Sequence, residues 1–156
     1  MSFAKLSLKG RALKLLAQRE HSRLELQRKL AAHVEEGDDL PAILDELEKR
    51  GFISEQRVVA SVIYSKASRF GTARLVQELR SKGLDDEAVR EAGEQLRDTE
   101  LQRATDLWRK RFGAPPADLK EKARQLRFMA SRGFSSAVAS RVLREAPYSD
   151  FEEGDD

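Results

Sequence analysis

The feature that most constrains this chain is an internal repeat with a spacing of about fifty residues. Residues 22–30 (SRLELQRKL) align with residues 71–79 (GTARLVQEL) and, more loosely, with residues 121–129 (EKARQLRFM). The second and third copies then end alike, at residues 82–84 (KGL) and 132–134 (RGF). A fixed period predicts an array of one supersecondary unit, and helical arrays offer long binding surfaces. The repeat therefore favours an interaction protein over an enzyme with one central pocket.

The composition fits a folded protein without disulfides, thiol chemistry or thiolate-bound metals. Of the 156 residues, 36% are charged, 40% are apolar and none is cysteine. No apolar run approaches the roughly 20 residues that span a bilayer. The N-terminal residues MSFAKL lack the apolar core of a secretion signal. We therefore expect a soluble protein of the cytoplasm that makes no membrane contact.

Charge is distributed unevenly along the chain. The net charge is +2, but the last seven residues hold five acids and no base, which leaves +7 on the first 149 residues. The first nineteen residues hold no acid and five bases, Lys5, Lys9, Arg11, Lys14 and Arg19. A basic body favours a partner that carries phosphates or carboxylates. The simplest reading of the acidic tail is a disordered, solubilising end.

Nearly every segment shows the period of an amphipathic helix, and no alternating run indicates a strand. We predict an all-α chain of nine short helices in three groups of three, forming an elongated, curved array of tandem repeats. The predicted domains are a first repeat with a basic N-terminal arm at 1–52, a second repeat at 53–97, a third at 98–147 and an acidic tail at 148–156.

Capping residues predict where several helices begin and end. Ser22 and Glu25 have the spacing of a capping box, in which two otherwise unpaired amides are satisfied. Thr99 and Gln102 have the same spacing, which predicts that a separate seventh helix starts there. Pro147 is expected just past the end of the ninth helix.

The chain offers little catalytic chemistry. His21 and His33 have no neighbouring cluster of metal ligands, and both are interpreted as exposed residues at helix ends. No nucleophile elbow and no phosphate-binding glycine loop are present. We therefore predict a protein that is not an enzyme, with no catalytic residues, no cofactor and no metal.

Three stretches concentrate arginine and lysine. They are residues 65–74 with Lys66, Arg69 and Arg74, residues 109–111 beside Trp108 and Phe112, and the eighth helix with Lys120, Lys122, Arg124, Arg127 and Arg132. Such stripes bind phosphates or the acidic face of a protein. A chain this rich in charge also shows them by chance: Arg74 could simply pair with Glu78, and Trp108 and Phe112 fit a core. The aromatic residues fit apolar helix faces, so base-specific recognition is not predicted.

Four segments share a recognisable order and spacing: residues 19–30 (REHSRLELQRKL), 50–57 (RGFISEQR), 69–84 (RFGTARLVQELRSKGL) and 125–134 (QLRFMASRGF). Together they resemble the motifs of the RecX family. The resemblance implies three tandem three-helix repeats. It also implies a function, because RecX proteins bind along the groove of the RecA recombinase filament and suppress its ATPase, strand-exchange and co-protease activities. It implies no cofactor and no catalytic residue.

The resemblance and the basic stretches together define the candidate partner-binding residues. The exposed positions that match the family's motifs are Arg57, Arg74, Lys82 and Arg132. The basic stretches add Lys66, Arg69, Lys120, Arg124 and Arg127. We expect a monomer whose partner is the RecA filament and which binds DNA only weakly. Two alternatives stay open: a helical module that binds single-stranded DNA directly, and a scaffold for an acidic protein.

Overall fold

The computed structural model describes residues 5–149, which form eight α-helices and a short 3₁₀ turn at residues 31–33. The helices are α1 (Leu8–Gln18), α2 (Arg23–Leu30), α3 (Leu40–Lys49), α4 (Glu55–Lys66), α5 (Thr72–Ser81), α6 (Asp86–Arg111), α7 (Leu119–Ser131) and α8 (Ser136–Ser149). No strand occurs within residues 5–149, which confirms the predicted all-α class.

Side chains directly before a helix fix several of the starts. Ser22 and Glu25 form the predicted capping box: Ser22 Oγ accepts from the Glu25 amide and Glu25 Oε1 accepts from the Ser22 amide, both at 3.1 Å. Asp118 opens α7 by accepting from the Glu121 amide at 2.8 Å. A cap of this kind contributes about 1 kcal/mol to helix stability. These starts are therefore set locally, by residues within one turn.

The capping box predicted at Thr99 and Gln102 is absent, and the prediction of a separate helix there is wrong. Both residues lie inside α6, a continuous helix of 26 residues. Thr99 Oγ1 donates to the Leu96 carbonyl at 3.3 Å and the Gln102 side-chain amide donates to Asp106 at 2.9 Å. Both side chains thus bond within their own helix. Neither glycine nor proline interrupts residues 94–111, so nothing stops the helix.

Three hydrophobic clusters follow one another along the chain. The first is built around Leu26, Leu30, Leu44 and Leu47, the second around Val58, Leu75, Leu79 and Leu96, and the third around Ala104, Trp108, Met129 and Val142. We call the three-helix groups that enclose them the first, second and third units. The long helix α6 belongs to two units, because its N-terminal half packs into the second cluster and its C-terminal half into the third.

Burial confirms the register of the repeat. The corresponding residues Leu26, Leu75 and Gln125, and likewise Leu30, Leu79 and Met129, are all at most 2% exposed. A fully buried leucine contributes about 1.5–3 kcal/mol relative to an exposed one. The aligned apolar positions are therefore core positions, and the findings support a helical repeat fold.

The last helix extends further than predicted. Pro147, expected just past its end, lies inside α8, so that prediction is wrong. Proline holds φ near the helical value, and in the final turn it removes only one backbone donor. Tyr148, assigned to the acidic tail, belongs to the same helix and is 70% exposed. The acidic residues 150–156 lie outside the described residues, as do residues 1–4.

Consecutive units dock through the ends of their middle helices. At the first junction, Ser22, Leu24 and Glu25 at the start of α2 meet Lys82 and Gly83 at the end of α5. Ser22 Oγ donates to the Lys82 carbonyl at 2.7 Å, and Lys82 Nζ lies 3.1 Å from Glu25 Oε1. Gly83 has a φ of +73°, and a Cβ there would lie 2.6 Å from the Leu24 side chain. Glycine is therefore required here both by conformation and by space.

His21, predicted to be exposed, is buried behind the first junction, so that prediction is wrong. Its Nδ1 lies 3.0 Å from the Arg19 carbonyl oxygen and its Nε2 lies 2.9 Å from Lys29 Nζ. A neutral ring that donates from Nδ1 and accepts at Nε2 satisfies both contacts. Burial lowers the pKa of His21, which favours this neutral form.

The second junction repeats the first, one unit further along. Here Gly71 and Arg74 at the start of α5 meet Arg132 and Gly133 at the end of α7. The Gly71 amide donates to the Arg132 carbonyl at 2.7 Å. A Cβ on Gly71 would lie 2.3 Å from the Gly133 backbone, and one on Gly133 would lie 2.5 Å from Arg74 Cβ. The repeat in the sequence is thus also a repeat in how the units dock.

Candidate functional site

Phe70, directly before the second junction, is surrounded by three of the predicted arginines. The guanidinium carbons of Arg74, Arg69 and Arg132 lie 4.2, 5.3 and 5.6 Å from the ring centre. A cation over an aromatic ring gains about 0.5–1 kcal/mol at exposed sites. Arg74 also donates to the Ser131 carbonyl at 3.2 Å, which ties α5 to the end of α7. Docking of the units therefore gathers arginines that are distant in sequence.

The same arrangement continues across the third unit. Arg132 and Arg111 lie 5.1 and 5.2 Å from the centre of the Phe128 ring. Phe128 meets Phe112 edge to face, with ring centres 5.4 Å apart, and Arg124 lies 5.3 Å from the Phe112 ring. We call this row the arginine–phenylalanine ladder. Its members are Arg69, Phe70, Arg74, Arg111, Phe112, Arg124, Phe128 and Arg132.

Most of the positive charge of the ladder is not neutralised. Of its arginines, only Arg124 pairs with a carboxylate in the part of the chain that the structure describes, at 2.9 Å from Glu121. The hydrogen bond from Arg124 lowers the pKa of Glu121, and the same bond raises the pKa of Arg124. The remaining guanidinium groups keep donors that fit the paired oxygens of phosphates and carboxylates.

A cleft of about 540 Å³ adjoins the ladder between the end of α6 and the start of α7. Its charged and aromatic lining consists of Arg111, Phe112, Asp118, Lys120, Glu121, Arg124 and Arg127. Both acids are engaged within α7, because Asp118 caps the helix and Glu121 binds Arg124. Lys120 and Arg127 have no carboxylate partner among residues 5–149. The cleft therefore extends the positive surface of the ladder.

Trp108 and Gln125 form the buried support of this region. Trp108 Nε1 donates to Gln125 Oε1 at 2.8 Å, and both residues are 2% exposed. The interpretation of Trp108 as a core residue is therefore confirmed. Gln125 takes the position that leucine has in the first two copies of the repeat, and its polar side chain is satisfied by this bond and by a donation to the Ala114 carbonyl at 3.3 Å.

Three predicted residues lie apart from the ladder and take part in ion pairs. The pairs are Arg57 with Glu20 at 2.9 Å, Lys82 with Glu25 at 3.1 Å, and Lys66 with Glu78. Glu78 is thus bonded to Lys66 rather than to Arg74, which leaves Arg74 over Phe70. A role of these residues in partner binding stays a prediction, but their charges are already compensated within the molecule.

Sequence reasoning misses the residues that hold the loop around Phe70. Arg103 of α6 donates to the Phe70 carbonyl at 2.6 Å and the Ala67 carbonyl at 2.9 Å. Buried Glu100 accepts from the Thr72 amide at 3.2 Å. Burial lowers the pKa of Arg103, while Glu100 acts in the opposite direction. In the sequence, Glu100 and Arg103 have the pattern of charged residues on a solvated helix face. Only the packing of the loop on α6 shows that they hold the backbone around Phe70.

The described residues support neither a metal site nor a membrane-spanning helix. No group of three His, Cys, Asp or Glu side chains within residues 5–149 is placed to hold a metal ion. In the same part of the chain, no helix combines the length and the apolar character needed to cross a membrane. The ladder and its cleft are the candidate functional surface.

Comparison with known proteins gives the family. The model of the RecX second three-helix domain matches residues 54–92, and that of the RecX third three-helix domain matches residues 98–143. The boundary between the two matches falls inside α6. The regulatory protein RecX of Leptothrix cholodnii is 59% identical over 143 residues, covering 92% of this chain and 91% of the relative. The regulatory protein RecX of Ralstonia nicotianae is 52% identical over 141 residues, covering 90% and 89%.

A solved structure agrees with the fold. The crystal structure of RecX from Lactobacillus salivarius superposes with a TM-score of 0.72 over 89% of this chain and 94% of that chain. At 17% identity this likeness shows a shared fold and nothing more. The identities of the relatives and the two matched domains together establish that the chain belongs to the RecX family of regulatory proteins.

Proposed function

We propose that this chain is a negative modulator of the RecA recombinase that binds along the RecA–DNA filament and suppresses its ATPase, strand-exchange and co-protease activities. Membership of the RecX family and the regulatory names of the relatives support a regulatory role. The resemblance of its motifs to those of the RecX family implies the RecA filament as the partner. In this proposal the protein performs no catalysis, holds no cofactor and acts as a monomer in the cytoplasm.

The observation that carries the proposal is the row of uncompensated cations on the ladder. A protein–DNA filament presents two kinds of anion, the phosphates of the DNA and the acidic side chains of successive subunits. Stacked guanidinium groups bind either one through paired hydrogen bonds. Because the ladder crosses the second junction, it presents cations from two neighbouring units.

Suppression in this proposal follows from preferential binding to one geometry of the filament, with no chemistry performed. A ligand that binds one geometry of a filament better than another shifts the population toward the favoured geometry. We propose that the array fits the inactive geometry better, so that one bound molecule restrains several RecA subunits. This reasoning predicts inhibition at a ratio well below one copy per RecA monomer.

The test is the ATPase rate of RecA on single-stranded DNA, titrated with the full chain. Half-inhibition is expected far below equimolar protein. Arg132→Ala removes the cation shared by Phe70 and Phe128, and is expected to raise the half-inhibitory concentration about tenfold. Arg80→Ala is the matched control, because Arg80 is an exposed arginine on α5 outside the ladder.

The outcomes of this titration decide between parts of the proposal. Binding to the filament without inhibition would reject suppression as the function. Equal losses in Arg132→Ala and Arg80→Ala would reject the ladder as the contact surface, because the effect would then follow from general charge.

The second candidate function is direct binding of single-stranded DNA. The cleft favours it, because uncompensated Lys120 and Arg127 line it together with Phe112, and single strands bind where cations and aromatic rings share a groove. It predicts tight binding without RecA and a steep loss of affinity as salt rises. Fluorescence anisotropy of labelled single-stranded DNA at low and high salt measures both. Tight binding, together with inhibition only when the protein coats the DNA, would favour this candidate.

A further inference from the structure

A surface of a different character lies between α4 and the N-terminal half of α6. It is a groove of about 430 Å³ lined mainly by apolar side chains. These are Val59, Ala60, Ile63 and Tyr64 of α4 with Ala88 and Ala92 of α6. Val59 and Ile63 pack on the second hydrophobic cluster from outside, and Tyr64 is 94% exposed. An exposed tyrosine beside half-buried aliphatic residues is typical of the centre of a protein interface.

The charge beside this groove is negative. Glu87, Glu91, Glu94 and Asp98 follow one another on α6 at spacings of four, three and four residues, which places them on one side of the helix. Glu91 lines the groove itself. Neither Glu91 nor Glu94 has a cation partner among residues 5–149, whereas Glu87 lies 3.8 Å from Arg90. The groove therefore has an apolar floor bordered by an acidic stripe.

We propose that this groove binds an amphipathic helix of a partner protein, with lysines or arginines flanking its apolar face. Residues 56, 59, 60, 63 and 64 of α4 share one side of their helix, so with α6 they form a trough that suits a third helix. Apolar side chains of the guest fill the trough over Val59 and Ile63, and its cations pair with the acidic stripe. Nucleic acid is repelled by that stripe, so this surface and the ladder bind partners of opposite charge.

The probe is a labelled synthetic helix of about 15 residues with leucine on one face and lysine on the other. Binding to the full-length chain is measured by fluorescence anisotropy. Tyr64→Ala and Glu91→Lys are each expected to weaken binding about tenfold, because they remove the exposed anchor and invert the charge of the groove. The matched controls, Tyr148→Ala and Glu36→Lys, change exposed residues outside the groove and are expected to bind as the wild type does.

Selectivity for charge completes the test. A peptide with the same leucine face and glutamate in place of lysine is expected not to bind. The proposal is overturned if the lysine peptide does not bind the wild type, if the groove variants bind it as well as the controls do, or if both peptides bind equally. It is also overturned if sedimentation shows self-association of the wild type that Tyr64→Ala abolishes, because the occupant would then be a second copy. RecA is absent from these measurements, so their outcome does not depend on whether the proposed function is correct.

Discussion

The first and second junctions have the same docking geometry but are held by different chemistry. In both, the start of one middle helix meets the glycine turn that ends the next, through a hydrogen bond of 2.7 Å to the carbonyl before that glycine. The first junction adds a capping box and the Glu25–Lys82 ion pair. The second has glycine against glycine, with arginines stacked on Phe70. Docking therefore depends on the backbone turn, and the side chains around it are free to differ.

The difference comes from three pairs of corresponding positions. These are His21 and Phe70, Glu25 and Arg74, and Lys82 and Arg132. In the first junction Glu25 neutralises Lys82. In the second junction Arg74 takes the place of the acid, so Arg74 and Arg132 both stay uncompensated and stack on the Phe70 ring. One junction uses its charge to hold two units together, while the other leaves its charge on the surface for a partner.

The largest effect is expected from Gly71→Ala, which breaks the second junction. Gly71 has an ordinary negative φ, but the added Cβ would lie 2.3 Å from the Gly133 backbone. Backbone atoms cannot move aside as a flexible side chain does, so we expect a loss of about 3 kcal/mol in the free energy of unfolding. Urea denaturation measures it. Gly51→Ala is the control, because no atom lies within 4 Å of a Cβ there and only its φ of +81° opposes the change. Equal losses in both variants would mean that the close contact is unimportant.

The next effect is expected from Glu25→Gln, which weakens the first junction. Burial raises the pKa of Glu25, but hydrogen bonds from Arg19, the Ser22 amide and Lys82 outweigh it and lower the pKa from 4.5 to about 2. The ionised form thus stabilises the fold, and we expect the variant to lose about 2 kcal/mol at neutral pH. A lowered folded pKa gives stability that is present above pH 4.5 and is lost as the pH falls towards 2. Urea denaturation at several pH values should therefore show the two proteins converging in acid. A constant gap would contradict the assignment.

Features that depend on near neighbours could be predicted from the sequence. The Ser22–Glu25 capping box needs residues within one turn, and the register of Leu26 and Leu75 follows from helical period. The same local reasoning failed at Thr99, because a capping pattern is also compatible with the interior of a helix. The helix continues through Thr99 because α6 packs into two hydrophobic clusters. A local sequence pattern contains no information about that packing.

The candidate site was predicted only in part, for a related reason. The basic stretches containing Arg74 and Arg132 stood out as separate stripes, but their meeting at Phe70 requires contact across 57 positions of the chain, as between Arg74 and Ser131. Phe70 itself was missed because a phenylalanine beside a helix start has the pattern of an ordinary core residue. The composition predicts a cationic binding surface. Which arginines form it depends on how the units dock.

A smaller effect, on binding rather than on folding, is expected from Arg74→Glu. The substitution removes the stacking on Phe70 and the bond to the Ser131 carbonyl, but it gives Arg132 the acidic partner that Lys82 has in the first junction. Loss and gain should nearly cancel, so the free energy of unfolding should change by less than about 0.5 kcal/mol. The ladder loses the cation of Arg74, and Arg132 becomes paired with the new carboxylate. The half-inhibitory concentration against the RecA ATPase should therefore rise about tenfold. Arg80→Glu, on the same helix, makes the same charge change outside the ladder and should inhibit as the wild type does. If Arg74→Glu lost stability and kept inhibition, the roles given to the two junctions would be reversed.

The smallest effect is expected from His21→Phe, which gives the first junction the ring of the second. Burial lowers the pKa of His21 below 6.5, so the folded state binds this proton less readily than the unfolded state does. Its contribution to stability is therefore present above pH 6.5 and is lost as the pH falls. Protonation also removes the acceptor for Lys29. The wild type should lose less than about 1 kcal/mol relative to His21→Phe between neutral and mildly acidic pH, measured by urea denaturation. His33→Gln, at the exposed histidine, should keep the pH dependence of the wild type. If His21→Phe kept it too, folding would leave the proton affinity of His21 unchanged, which would contradict the effect given to its burial.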